Sequence, residues 1–342
     1  MSKIAERRLE IENFIQSNIR EHAGDITRLT QEKFALTKPA VMKYINDLIL
    51  EKKIAVSGVT KNREYRPLPI MNLMRGYPIS SKLEESAIWR EFSPLFGDVK
   101  ENVRRICQYG FTEMINNAIE HSEGSQLVVN VAKFYDQIEI IISDNGIGIF
   151  EKIKTKLNLD DPIHSILELS KGKLTTDEKK HSGEGIFFTS RAFDVFFMTS
   201  KKIGFVHIKS GFDYIDQGDQ ITEGTSVKMD IALLSNKSLQ KIFDEYTDSG
   251  EFGFSKTTVP VHLATYGDDQ LISRSQARRL LTRFEKFSSV VLDFKSVEMI
   301  GQAFADEIFR VYKNEHPKII LTYMNANRNV EKMIKHVQAS KT

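Results

Sequence analysis

Three short stretches limit what this chain can fold into: FTEMINNAIEHS at 111–122, SDNGIGIF at 143–150 and HSGEGIFF at 181–188. In the first, Glu113 and Asn117 stand four apart. That is one helical turn, so both side chains point the same way. In the second, the apolar run 138–142 reads as a buried strand ending in Asp144, with Gly146 and Gly148 behind it. In the third, Gly183-Glu184-Gly185 precedes a segment, 186–191, that reads as a helix start. Each part suits one portion of an adenine nucleotide. Asn117 offers a neutral oxygen, fit for Mg²⁺ when phosphate and water complete the shell. Glu113 is spaced to orient or deprotonate a water attacking a terminal phosphate. A carboxylate fixed at Asp144 can accept a hydrogen bond from an exocyclic amine such as adenine N6. The glycines admit close backbone approach, and free amides at a helix start bind phosphate.

Taken singly, each stretch has an ordinary reading too. A Glu and an Asn one turn apart are common on solvated helices, Asn-Gly signals a hairpin, and a lone Gly-x-Gly is a weak motif. Order and spacing set the three apart. They resemble the Bergerat-fold ATP-binding module shared by gyrase, histidine kinases, mismatch-repair ATPases and anti-sigma-factor serine kinases, over roughly 80–235. The resemblance implies ATP with Mg²⁺ as cofactors, Glu113 as general base, Asn117 as Mg²⁺ ligand and Asp144 as adenine anchor. Gly146 and Gly148 would shape the adenine pocket, and Gly183, Glu184 and Gly185 the phosphate loop. It also puts Thr225, in Gly224-Thr225 before the alternating stretch 227–231, near the adenine. His121 is either a phosphate contact or a packed or solvent-facing histidine. The stretch 150–182 is expected to be a mobile lid whose Lys171, Lys173, Lys179 and Lys180 meet phosphate or solvent, with Lys171 a candidate nucleotide contact. No GxxxxGK[ST] run occurs, so phosphate is not held as in a P-loop.

At 342 residues, two or three domains are expected. A net charge of +2 says nothing about partners. The single cysteine, Cys107, excludes an internal disulfide framework and a cysteine-rich zinc site, and reads as core on the helix 101–121. The start, MSKIAERRLEIENF, has no apolar h-region, and no apolar run approaches about eighteen residues, so a cytoplasmic protein without membrane contact is expected.

Residues 1–67 read as a separate unit. Helix-period apolars run from Ile4 through Leu9, Ile11, Phe14 and Ile15 to Ile19, and Gly24 ends them. Asp25 can cap a second helix, 26–34, and Thr37 a third, with Pro39 in its first turn. Val41, Ile45, Leu48 and Ile49 make one buried face of that third helix, and a hairpin over 54–65 follows. This order resembles a winged helix-turn-helix. Thirteen Lys and Arg stand against nine Asp and Glu in 1–67, a balance of +4. Lys38, Lys43, Lys61 and Arg63 fall where a groove-reading helix and wing would face the phosphates of double-stranded DNA. Protein docking or dimerisation is the other use of such a unit. Pro67, Pro69, Gly76 and Pro78 suggest a linker over 68–80, before an ATP-binding domain at 81–240.

Residues 252–342 alternate strands (257–264, 290–294, 318–323) with helices (273–287, 303–312, 329–337), which argues for a small α/β sheet. LDFKSVEMIGQAFADEIFR at 292–310 resembles STAS domains, the anti-sigma-factor antagonists, and more closely their STAS-like relatives. Antagonists carry a phosphorylated Ser at the helix start; here that place reads Ile300-Gly301-Gln302. Asp306, Glu307 and Arg310 are docking charges, a solvated face or an internal ion pair.

The fold class expected is therefore multidomain α+β: a winged helix, an α/β-sandwich Bergerat fold and a small α/β STAS-like unit. The expected function is an ATP-binding, slowly hydrolysing regulator of transcription that binds DNA, switches with nucleotide and forms a homodimer. A protein partner would reach it through the STAS-like unit. An anti-sigma-type serine kinase acting on a separate protein, and a nucleotide-sensing scaffold, are the alternatives.

Overall fold

The computed structural model describes residues 3–59, 62–174, 183–247, 253–265 and 270–339. The chain is a multidomain mixed α/β protein, with three separate sheets among the described residues. Its first unit has helices α1 (Lys3–Asn18), α2 (Ile26–Phe34) and α3 (Lys38–Leu50), then antiparallel β1 (Ile54–Ser57) and β2 (Glu64–Pro67). Ile11, Ile15 and Ile19 form the buried stripe of the first helical segment and meet Val41, Ile45 and Leu48 of α3. Ile4 and Leu9, expected on that stripe, are exposed because the core needs only one side of α1. Asp25 and Thr37 occupy the N-cap places, yet neither side chain caps; Asp25 instead pairs with His22 and Arg28.

The second unit is built on a five-stranded antiparallel sheet of order β3-β4-β5-β7-β6, with β3 at Met71–Pro78, β4 at Gln126–Lys133, β5 at Gln137–Asp144, β6 at Val195–Ile208 and β7 at Phe212–Ala232. Its helices are α4 (Glu85–Phe92), α5 (Glu101–His121), α6 (Ile149–Leu157), α7 (His164–Lys171), α8 (Gly185–Ala192) and α9 (Leu239–Glu245). Ile138, Ile140 and Ile142 alternate along β5 and are buried in the same core as Ile115 of α5. Two expectations are corrected here. Most of the stretch expected as a linker, 68–80, is β3, an edge strand, where Gly76 costs little and Pro78 takes the last paired position. The described part of the stretch expected as a mobile lid, 150–174, contains α6 and α7, pinned by buried Phe150, Ile153, Ile166 and Leu167, and every residue of α7 is buried; 175–182 lies outside the described residues.

The third unit holds parallel β8 (Lys256–Pro260), β9 (Ser289–Asp293) and β10 (Ile320–Met324), in order β10-β9-β8. Helix α10 (Arg274–Leu281) lies between the first two strands. Helix α11 (Gln302–Asp306) runs through a π-helical Glu307–Tyr312 into α12 (Lys313–Glu315), and α13 (Arg328–Ala339) closes the described chain. The helix expected over 273–287 stops at Leu281, two residues before Arg283, whose φ is +67°. The charges at 306–310 are internal: Arg310 pairs with Asp306 at 2.8 Å and Arg278 with Glu307 at 2.7 Å. The second and third units share one continuous apolar core, while the first has its own. No helix among the described residues is long and apolar enough to cross a membrane.

Candidate functional site

A cavity of about 280 Å³ opens between α5, the end of β5, the middle of β7, α6 and the start of α8. This is close to the lower end of the size range typical of small-ligand sites. Helix α5 sends Glu113, Asn117 and His121 into it, at successive four-residue intervals. Asp144, the last residue of β5, meets Thr225 inside β7 because the pairing of Ser143 with Ser226 brings the end of β5 beside it. Gly148, Gly183, Glu184 and Gly185 complete the set of sequence-selected residues on the wall. Residues from three separated stretches thus converge on one space.

The base of the cavity is built around Asp144. Its Oδ1 accepts the Gly146 amide at 2.9 Å and the Thr225 amide at 3.3 Å. Gly146 is therefore a support for Asp144 and does not line the wall. Burial pushes the Asp144 carboxyl above its ordinary range, and those two amides oppose the shift. The Thr225 hydroxyl accepts the amide of Ile149, which fixes the entry into α6. Gly148, between these groups, has φ +87°, and a Cβ there would fall 2.1 Å from Ser200 Oγ.

At the opposite side, Asn117 and Glu113 face the start of α8. The Asn117 amide nitrogen is buried and makes no hydrogen bond among the described residues. A buried donor without a partner costs about 1–3 kcal/mol, so the site favours a ligand or water that supplies an acceptor. The Glu113 carboxylate approaches Gly185 so closely that a Cβ on that glycine would sit 2.1 Å from Oε2. Gly185→Ala is therefore expected to push Glu113 off the helix start without unfolding the chain. The melting temperature and a crystal structure of the variant check it; a Glu113 carboxylate that stays in place in a folded variant would overturn the expectation.

Several predicted contacts are placed elsewhere. Lys171 does not line the cavity: its ammonium is fully buried, 2.6 Å from Glu168 Oε1, and donates to the carbonyls of Thr282 and Arg279 at 2.9 and 3.2 Å. Burial pulls that ammonium below its ordinary value, opposed by Glu168. Lys173 donates to the Lys286 carbonyl at 2.8 Å. Lys179, Lys180 and Lys61 lie outside the described residues. Lys38, Lys43 and Arg63 are exposed on the first unit, away from the cavity wall.

The sequence reading missed Lys152. It lines the cavity, donates to the His121 carbonyl at 2.6 Å and pairs with Glu123 at 2.9 Å. Its place one turn after Gly148, facing α5, is a signal the sequence contains. It also missed the apolar slot of Ile142, Ile153, Met198 and Val227, which could not be told from core by pattern. In sum the cavity has a carboxylate acceptor in a partly apolar slot, and an acid, an amide and a glycine-flanked helix start across from it. That suits a flat ligand with a donor group at one end and a polar or anionic group at the other.

Residues 276–331 match a family described as a STAS-like domain of unknown function (DUF4325). The match runs from within α10 to the start of α13, and includes the 292–310 stretch that carried the STAS-like resemblance. A search of the curated proteins found no match to the chain.

Proposed function

We propose that the chain is an ATP-binding, slowly hydrolysing regulator that binds double-stranded DNA and switches conformation or oligomeric state with nucleotide. The observation that carries the reading is the convergence of Glu113, Asn117 and Asp144, from separate stretches, on one cavity beside the Gly183–Gly185 turn. On this reading the central unit is a Bergerat-fold module. Asp144 accepts the adenine amine, with Thr225 beside it. The start of α8 receives phosphate, and Lys152 and His121 add polar groups to the wall. Asn117 would hold Mg²⁺ through its side-chain oxygen, and the ion would neutralise phosphate charge when bound; the unpaired buried NH₂ of the same side chain favours an acceptor such as a phosphate oxygen or water beside it. Glu113 orients a water and takes its proton as it attacks the terminal phosphate. Calorimetric titration with ATP, with and without Mg²⁺, tests the site. No heat and no thermal stabilisation at saturating ATP would remove the assignment.

The first unit is proposed to act as a winged helix. Lys38 and Lys43 are exposed on α3 and Arg63 on the hairpin, and none has an ion pair among the described residues. So few cations hold DNA weakly, and salt weakens it further. Nucleotide-driven pairing of two copies would present two such units to one duplex. Lys43→Ala and Arg63→Ala are expected to weaken duplex binding about 3- to 10-fold each at low salt, scaled to one phosphate contact apiece. ATP affinity without DNA should not move. A gel shift at two salt concentrations, with and without ATP, checks this; a folded protein that shifts no duplex would make the first unit a protein-docking module. A serine kinase acting on its own C-terminal unit is disfavoured, since α11 starts at Gln302 behind Gly301 and offers no hydroxyl there.

A further inference from the structure

Loop 172–174 forms the side of the cavity next to the Gly183 turn: Leu174 and Gly183 both line it, and the Leu174 amide donates to the Gly183 carbonyl at 3.0 Å. This wall is held from outside the central unit. Arg283, between α10 and β9, forks across four acceptors. One nitrogen donates to Glu168 Oε2 at 2.9 Å and to the Glu168 carbonyl at 3.4 Å; the other donates to the carbonyl of Gly172 at 2.9 Å and to that of Lys173. The Thr257 hydroxyl of β8 donates to the Lys171 carbonyl at 2.7 Å. Phe254 packs against Phe187 of α8, its ring tilted by 33° with centres 4.5 Å apart, so the same unit grips both ends of the segment that carries the wall.

The backbone indicates that this grip is specific. Arg283 sits at φ +67° and Lys173 at φ +50°, the left-handed region that side chains with a Cβ rarely adopt. Such strain persists only where surrounding contacts over-determine it, and it clusters at functional sites. The charges point the same way. Glu168 pairs with both Lys171 and Arg283, so one buried carboxylate faces two buried cations. The two terminal nitrogens of Arg283 span the Glu168 carboxylate on one side and the Gly172 and Lys173 carbonyls on the other, a reach that the single ammonium of lysine does not reproduce.

We propose that Arg283 is a positioning residue of the nucleotide cavity: it fixes the 172–174 wall beside the phosphate end, so that occupancy of the cavity and seating of the STAS-like unit are coupled. The proposal rests on the nucleotide reading above. Arg283 touches no ligand on this scheme. It acts through two carbonyls on a wall two residues away, and a nucleotide that orders the wall strengthens the contact between the units. By linkage, seating of the third unit strengthens nucleotide binding by the same factor.

The test compares ATP with adenosine, which lacks the phosphates, on the full chain. In Arg283→Met, Lys171 still neutralises Glu168. ATP affinity is expected to fall roughly tenfold and adenosine affinity by less than about twofold, because only the phosphate side of the cavity loses its support. Arg283→Lys is expected to resemble Arg283→Met. Equal loss for both ligands, or no loss for either in a folded variant, overturns the positioning role while leaving the nucleotide site standing. If wild type binds neither ligand, the nucleotide reading and the proposal fall together. Amide hydrogen exchange on the wild-type chain gives a reading free of any folding defect. ATP should slow exchange across 279–287 as well as at Leu174, and unchanged exchange across 279–287 overturns the coupling.

Discussion

Glu113→Ala is expected to hold ATP about as tightly as wild type while hydrolysing it roughly 100- to 10,000-fold more slowly, the usual contribution of a positioned general base. The base acts only in the chemical step, so its loss lowers turnover without a matching loss of affinity. The geometry gives a further reason for intact binding. Glu113 lies against Gly185 at the helix start, so removing a carboxylate there takes a negative charge away from the side assigned to phosphate. Affinity for ATP should hold or rise. Single-turnover hydrolysis measured beside equilibrium titration separates the two quantities. Normal turnover in a folded Glu113→Ala protein would end the assignment of Glu113 as base, whatever the affinity.

Asp144→Asn should weaken adenine-nucleotide binding by about 1–3 kcal/mol, the cost of losing a charged acceptor for a buried donor. The substitution keeps shape and size. Asn can still accept the Gly146 and Thr225 amides through its one oxygen, which turns its NH₂ toward the ligand and sets donor against donor. The fold should therefore change less than the affinity. The pH dependence has a definite sign. Burial raises the Asp144 carboxyl, so it takes up a proton at a higher pH than an ordinary aspartate does. As pH falls through that raised value the acceptor is lost and wild-type affinity declines, while Asp144→Asn stays flat over the same window. For the fold the sign is opposite: the ionised carboxylate costs stability as pH rises above its ordinary value, and a bound donor group recovers part of that cost. An identical pH profile for wild type and variant would take Asp144 out of the site.

The parts of this site that could be read from sequence are those fixed by local geometry. Glu113, Asn117 and His121 follow from helical spacing alone, and Asp144 from its place at the end of an alternating strand. Lys171 was misjudged because its compensation is not local. Glu168 is three residues away, but the carbonyls that finish its shell belong to Arg279 and Thr282, more than a hundred residues on. A lysine beside a glycine reads as solvated until those acceptors are known. The strand Met71–Pro78 was hidden for a related reason: as an edge strand it tolerates Gly76 and Pro78, the residues that signal a linker, and its faces are mostly exposed. The apolar slot was invisible because Met198 and Val227 pack as core residues do whether or not a ligand lies over them.

Along the chain there are three units, but by what they bury there are two. The first unit's apolar interior is its own, and among the described residues it reaches the next through Arg20, which pairs with Asp136 and lies over the Phe134 ring. The other two are soldered through Phe187, Phe254, Phe284 and Phe287 into one interior. A gene break near Pro67 would release a piece that keeps its interior whole, whereas a break after α9 would bare apolar surface on both fragments. The first unit is thus a cassette that descent can exchange for another, while the unit that carries the cavity and its STAS-like companion have to be inherited as one body.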